Sequence, residues 1–175
     1  MLMERYARGD LDAFEELYRR YERRVYGFCL RFLGDPDGAA DAFQDVFLRL
    51  IGARHKYEAR GRFAQWIFAI ARRVCVDGVR GSRSEAYHDD SLRAAENTVG
   101  VDPVESLAHK DALQRLLQRM PAEQREVLLL SRYYGFKYGE IAEMTGSTEA
   151  AVKQKAYRAV QSIRRTRRDE TGRRA

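Results

Sequence analysis

Apolar residues recur along this chain at spacings of three and four, and most of these runs are bounded by residues that start or stop a helix. No segment alternates apolar and polar residues for long enough to make a strand, so the fold is predicted to be all-α. Phe14, Leu17, Tyr18, Tyr21, Val25, Phe28 and Phe32 share one face of a helix that begins after Gly9, with Asp10 as its N-cap. Gly34 ends it, since glycine accepts the left-handed backbone of a C-terminal cap. Asp35 and Pro36 restart the chain as N-cap and first helical residue, and Ala39, Phe43, Val46, Phe47 and Leu50 form the next stripe up to Gly52. A basic, aromatic-containing loop follows. A third helix is expected from about Phe63 to Val79, with Phe63, Trp66, Ile67, Ile70, Ala71 and Val74 inward and Arg62, Arg72, Arg73, Arg80 and Arg83 outward. Three such helices can close one small core.

The composition changes at "GSRSEAYHDDSLRAAENTVGVDP", which is polar and poor in large aliphatic residues and reads as a flexible linker. Helical periodicity resumes in "VESLAHKDALQRLLQRM" and "PAEQREVLLLSRYYG", with Pro121 placed to begin the second. The expected organisation is two small helical domains, 1–81 and 104–175, joined by a linker at 82–103. Acidic Asp89, Asp90, Glu96 and Asp102 fit the solvated composition of such a tether.

The last segment, "KYGEIAEMTGSTEAAVKQKAYRAVQSIRR", has the layout of a helix-turn-helix. Tyr138, Ile141, Ala142 and Thr145 face one way in its short first helix, Gly146 supplies the turn, and Ser147 or Thr148 caps the second helix. Val152, Ala156, Ala159 and Ile163 are the inward stripe, and small Ala150 and Ala151 are expected to let the helices approach closely. Lys153, Gln154, Tyr157, Arg158 and Gln161 fall on the other side, where their chemistry suits a DNA groove: cations for guanine edges or phosphate, Gln for adenine, a ring for a thymine methyl. A solvated cationic helix has the same residues, but the coincidence of turn, cap and inward stripe favours DNA. The tail "SIRRTRRDETGRR" is equally compatible with a frayed end and a phosphate clamp.

Lys and Arg number 32 against 26 Asp and Glu, a net charge of +6 that favours a polyanionic partner. There is no apolar run of membrane-spanning length and no signal-peptide core, so the protein is expected in the cytoplasm without membrane insertion. Cys29 and Cys75 lie in apolar stretches without a CxxC pattern and read as buried free thiols; His55, His88 and His109 are scattered. No nucleophile-and-base pattern supports an enzyme, no metal or cofactor is expected, and "DPDG" at Asp35 to Gly38 lacks the later ligands of a calcium loop.

"DPDGAADAFQDVFLRL" followed by "FAQWIFAIARRVCVDGVR" resembles conserved region 2 of bacterial sigma factors, and the carboxyl-terminal helices resemble their region 4. With no further domain between these two, the chain is similar to the extracytoplasmic-function (ECF) group of the sigma-70 family. The family pattern of an acidic residue, then Gln-acidic-aliphatic-Phe, is met by Asp41, Gln44, Asp45, Val46 and Phe47, while Trp66, Ile67, Ile70, Ala71, Asp77 and Arg80 match its tryptophan helix. The resemblance implies that Asp41, Gln44, Asp45 and Leu48 dock on the β′ coiled coil of core RNA polymerase, with further contact to the β subunit. It implies that the minus-ten element is read from the non-template strand by His55, Lys56, Tyr57, Arg60, Arg62, Arg72, Arg73 and Arg80. The minus-thirty-five element is then read by Ser147, Thr148, Lys153, Gln154, Tyr157 and Arg158, and an anti-sigma factor is a further implied partner. Arg73 stands where the family commonly has Asn, a departure at a position of local structure or DNA contact.

Trp66 is assigned to the core rather than to a base stack, because its spacing fits the buried stripe. Unstacking one duplex step costs about 1.4 kcal/mol, and an aromatic ring that captures a base returns roughly 1–3 kcal/mol, so one or two captured bases cannot hold open a bubble of many pairs. Strand separation therefore needs a larger machine. The alternatives are a stand-alone helix-turn-helix regulator that never touches polymerase, and an interaction module that keeps only the fold.

Overall fold

A computed structural model describes the backbone of residues 2–57, 62–85 and 107–172, and the side chains of 2–57, 62–79 and 112–166. All regular structure among these residues is helical. The chain divides into two units, Met1–Pro103 and Val104–Ala175, each with its own core.

The first unit contains α1 (Leu2–Ala7), α2 (Leu11–Leu33), α3 (Pro36–Gly52), a 3₁₀ turn at Arg54–Lys56 and α4 (Phe63–Glu85). The expected caps form. The Asp10 side chain accepts a hydrogen bond from the Ala13 amide at 3.0 Å, and Gly34, at φ 81°, donates its amide to the Leu30 carbonyl at 2.8 Å. Asp35 accepts from the Gly38 amide at 2.7 Å with Pro36 in the first turn, so "DPDG" is a helix start. The buried stripes of α2, α3 and α4 meet around Val25, Phe28, Phe32, Val46, Leu50, Ile67 and Ala71.

Three features differ from expectation. The short α1 precedes the first long helix and buries Met3 and Tyr6, the latter 4.9 Å from the Phe14 ring. α4 runs to Glu85 rather than ending near Val79, because a helix interior carries a glycine at a cost of about 1 kcal/mol, so neither Gly78 nor Gly81 need stop it, and "GVRGSRSE" holds no proline. Phe68 is fully buried outside the predicted stripe, where it packs against α2, whereas Cys75 is buried as its apolar surroundings in the sequence predict. Phe68 meets Phe28 edge-on at 5.6 Å, and Cys75 meets Cys29. Both cysteines are buried and free, and their mutual hydrogen bond together with burial pushes the Cys75 thiol pKa up. The predicted linker lies outside the described residues from 86 onward.

The second unit contains α5 (Leu107–Gln118), α6 (Ala122–Leu128) continuing through a π-helical turn at Leu129–Tyr133, α7 (Tyr138–Thr145) and α8 (Glu149–Gly172). Leu117, Met120, Val127, Leu130, Ile141, Val152 and Ala159 make its core. Arg125 is buried within it and donates to the Gln118 and Met120 carbonyls at 3.1 and 3.2 Å, closing the end of α5. Gly146, at φ 62°, makes the turn between α7 and α8, and the Ser147 amide returns to the Ala142 carbonyl at 3.0 Å. Ala150 is exposed and Ala151 half-buried, so the expected close approach at this pair is not what joins the helices; Val152, next in the chain, and Ala156 and Ala159, one and two turns beyond it, carry the buried face of α8 instead.

Candidate nucleic-acid and partner interfaces

On α3 the core takes Ala39, Ala42, Val46, Phe47 and Leu50. Asp41, Gln44, Asp45 and Leu48 are spaced three, one and three apart, which on a helix is a single stripe. Asp41 and Gln44 are exposed, Asp45 is half-exposed, and Leu48 leaves 66% of its surface in solvent. Ile51, one turn beyond Leu48, adds a second exposed aliphatic to this stripe. Periodicity does not single out Ile51, because its neighbour Leu50 accounts for the core position. Arg49 lies alongside and grips Asp45 with two prongs, Nε to Oδ1 at 3.1 Å and Nη2 to Oδ2 at 2.8 Å.

The basic loop after α3 begins with the 3₁₀ turn Arg54–Lys56. His55 and Lys56 are exposed, and Arg54 donates from Nε to His55 Nε2 at 3.0 Å while its guanidinium lies 5.8 Å from the Tyr6 ring centre. Tyr57 is only half-exposed: its ring sits edge-on to Trp66 at 5.1 Å and to Phe63 at 6.1 Å, and Phe63 in turn meets Tyr21 at 4.9 Å. Burial pushes the Tyr57 phenol pKa up, with the Glu4 carboxylate adding to the effect. Trp66 thus belongs to an aromatic cluster at the rim of the core beneath the loop.

Among the predicted cations, Arg62 and Arg73 are exposed at the start and middle of α4. Arg72 is half-buried with its Nε shielded from solvent, so it is turned toward the domain. Arg60 lies outside the described residues; Arg80 is within α4, its side chain outside them.

In the second unit Thr148, rather than Ser147, caps α8, accepting the Ala151 amide on its hydroxyl at 3.2 Å. The Ser147 hydroxyl is 3.0 Å from that of Thr145 and ties the turn to α7. Lys153, Gln154, Tyr157 and Arg158 all face solvent, Tyr157 with 64% of its surface exposed. Glu149, not among the predicted residues, pairs with Lys153 at 2.7 Å one turn away and partly neutralises it. Lys155 pairs with Glu123 of α6 at 3.0 Å, which helps seat α8 on the domain. Arg164 and Arg165 carry the exposed cationic surface further along α8.

Comparison with known proteins agrees with both halves. The family described as Sigma-70 region 2 matches residues 17–85, and that described as Sigma-70, region 4 matches residues 110–163. The RNA polymerase sigma factor CarQ of Myxococcus xanthus is 32% identical over 163 residues, covering 93% of each chain. The ECF RNA polymerase sigma factor SigW of Bacillus subtilis is 26% identical over 173 residues, covering 93% of this chain and 92% of its own. Among solved structures, CnrH in complex with the cytosolic domain of CnrY has a TM-score of 0.72 at 20% identity, covering 94% of each chain. The sigma factor RpoE, in complex with the anti-sigma factor NepR from Bartonella quintana, also has a TM-score of 0.72, at 21% identity over 87% of this chain and 94% of its own. These two likenesses concern the fold.

Proposed function

Because this chain belongs to the extracytoplasmic-function group of the sigma-70 family, we propose that its two units divide promoter recognition between them. The protein is an RNA polymerase sigma factor, and it directs core polymerase to promoters for transcription initiation. In the proposed division, α3 docks on the β′ coiled coil through Asp41, Gln44, Asp45 and Leu48. The loop and α4 take the non-template strand of the minus-ten element through His55, Lys56, Arg62 and Arg73, which face solvent, together with Arg60 and Arg80. The second unit adds contact to the β subunit and reads the minus-thirty-five element with the amino-terminal half of α8, where a groove-reading helix presents its side chains.

The observation that carries this reading is the solvent-facing stripe of α3. A helix that already has a complete buried face gains nothing for folding from a 66%-exposed leucine set among two carboxylates and an amide. A stand-alone helix-turn-helix regulator has no use for that stripe. Tyr57, whose ring rests on Phe63 and Trp66, offers a displaced base a surface to stack on, while nearby cations hold its phosphates. The tether between the units makes two weak DNA contacts act together, so that the spacing of the two elements contributes to specificity.

The chain carries out no chemistry of its own in this scheme; nucleotide addition belongs to core polymerase, and the site of action is the cytoplasm. None of the described helices is long and apolar enough to cross a membrane. RpoE binds the anti-sigma factor NepR; an anti-sigma factor is proposed to hold this chain in the same way. The test is transcription by sigma-free bacterial core polymerase over genomic DNA with and without the chain. A restricted set of new start sites, each preceded by two shared sequence boxes, is expected; failure of the chain to bind core polymerase overturns the proposal.

A further inference from the structure

Arg49 stands between two helices to which the proposed function gives different partners. Its Nε and Nη2 hold Asp45 on the docking stripe of α3 at 3.1 and 2.8 Å, and its third nitrogen, Nη1, is directed at Asp77 of α4 at 3.8 Å. The first contact is a two-pronged pair that restricts the Asp45 carboxylate to one orientation on an otherwise open helix face. The second links the same guanidinium to the helix that carries Arg73 and Arg80. A guanidinium can serve both carboxylates because its donors fan out in one plane, whereas an ammonium is a single point of charge.

We infer that Arg49 is a positioning residue: it presents Asp45 to core polymerase and, through Asp77, sets the promoter-reading helix α4 in register with the docking helix α3. This rests on the reading of α3 as the polymerase-docking helix. The geometry gives Arg49 this task and not that of holding the fold together. Arg49, Asp45 and Asp77 leave 43%, 42% and 51% of their side chains exposed, and exposed pairs change an equilibrium by up to about fivefold. The buried Val46, Leu50, Ile67 and Ala71 supply the cohesion between these helices. The ion-pair chain adjusts two side chains and one helix register. When polymerase engages Asp45, the same guanidinium feels that contact and its link to Asp77 changes with it, so docking and promoter reading are coupled.

The experiment separates the two steps. Full-length chain carrying a fluorophore is titrated with sigma-free core polymerase, and the saturated holoenzyme is then titrated with fork-junction DNA exposing a single-stranded non-template minus-ten segment. Arg49→Ala is expected to weaken both steps by about two- to fivefold, with the melting temperature of the free chain unchanged. Arg49→Lys recovers the polymerase step, because one ammonium can still meet Asp45, but not the DNA step. Asp77→Asn reproduces the loss in the DNA step, and the double variant Arg49→Ala with Asp77→Asn is no worse there than Arg49→Ala alone. The inference is overturned if Arg49→Ala and Asp77→Asn both leave the DNA step unchanged while Asp45→Asn weakens polymerase binding. It is also overturned if Arg49→Ala lowers the melting temperature by many degrees, which marks a structural role. If Asp45→Asn has no effect on polymerase binding, the docking reading itself falls.

Discussion

Truncation of Leu48 to alanine isolates the docking stripe from the fold. With 66% of its surface already in solvent, Leu48 contributes little to the core, and surface changes of this kind usually shift stability by no more than about 0.5 kcal/mol. Its value lies in what a partner covers. Leu→Ala removes about three CH₂ equivalents at roughly 0.8 kcal/mol each when fully buried, and scaling by the 66% that a partner can still cover leaves about 1.6 kcal/mol. That corresponds to a rise in Kd of roughly tenfold or slightly more. The assay is equilibrium titration of fluorophore-labelled chain with sigma-free core polymerase, run beside a thermal melt of the free protein. Leu48→Ala is expected to bind about tenfold more weakly with an unchanged melt, and Leu48→Asp more weakly still, since a carboxylate would then enter the covered interface. Binding of Leu48→Ala within twofold of the parent protein, with the melt unchanged, refutes the claim that this face of α3 is covered by polymerase.

Thr148→Ala removes the α8 cap and is expected to cost about 1 kcal/mol of stability in the second unit, whereas Ser147→Ala costs less because its hydroxyl meets Thr145 and not an α8 amide; amide hydrogen exchange in the first turn of α8 distinguishes them. Arg158→Ala is expected to lower the slope of log K against log salt for promoter binding by about 0.9, and Lys153→Ala by less than that, because Glu149 already neutralises part of its charge. Equal slopes for the two variants contradict that pairing. The Asp10 carboxyl is held below the usual aspartate range by the hydrogen bond from the Ala13 amide and then by Arg5. Its contribution to stability is therefore fully present above the unfolded-state value and disappears as pH falls through the lower folded-state value. Carbon-detected NMR titration of Asp10 gives the folded value directly, and a midpoint at or above that of a model aspartate contradicts the cap.

Much of this structure was legible because helix punctuation is local. Asp10, Gly34, Asp35 with Pro36, and Gly146 each act on amides or carbonyls within four residues, so their identity and position suffice to place helix ends. The stripes of α2 and α3 were legible for a similar reason, since the apolar residues of each recur at helical spacing along one side. What sequence spacing could not reveal depends on residues far apart in the chain. Phe68 is buried against Phe28 of α2, a contact that spacing within α4 alone does not encode. The six residues of α1 are too few to show a period, and its helix is held by Met3 and Tyr6 against α2. Burial of Arg125 depends on two carbonyls at the end of a different helix.

Among the candidate interface residues, exposure at Asp41, Gln44, Leu48, Lys153, Gln154, Tyr157 and Arg158 follows from placement opposite a buried stripe. Tyr57 and Arg72 were harder. A loop tyrosine looks free in sequence, yet Trp66 and Phe63 come up beneath it from α4, and Arg72 sits at the boundary of the apolar face, where one step of helical rotation decides between solvent and domain. The pairing of Arg49 with both Asp45 and Asp77 is half visible: the first partner is one helical turn away, and the second is reached only once α3 and α4 are side by side.

The most direct test of the divided promoter reader is site-specific photocrosslinking in the reconstituted holoenzyme on a promoter it transcribes, with a photoreactive amino acid placed at Lys56 in one preparation and at Gln154 in another. Two crosslinks are predicted: from position 56 to the non-template strand just upstream of the start site, dependent on core polymerase, and from position 154 to duplex DNA in a separate upstream box at a fixed distance. Crosslinks from both positions to a single box, or an undiminished crosslink from position 56 in the absence of polymerase, would contradict the account.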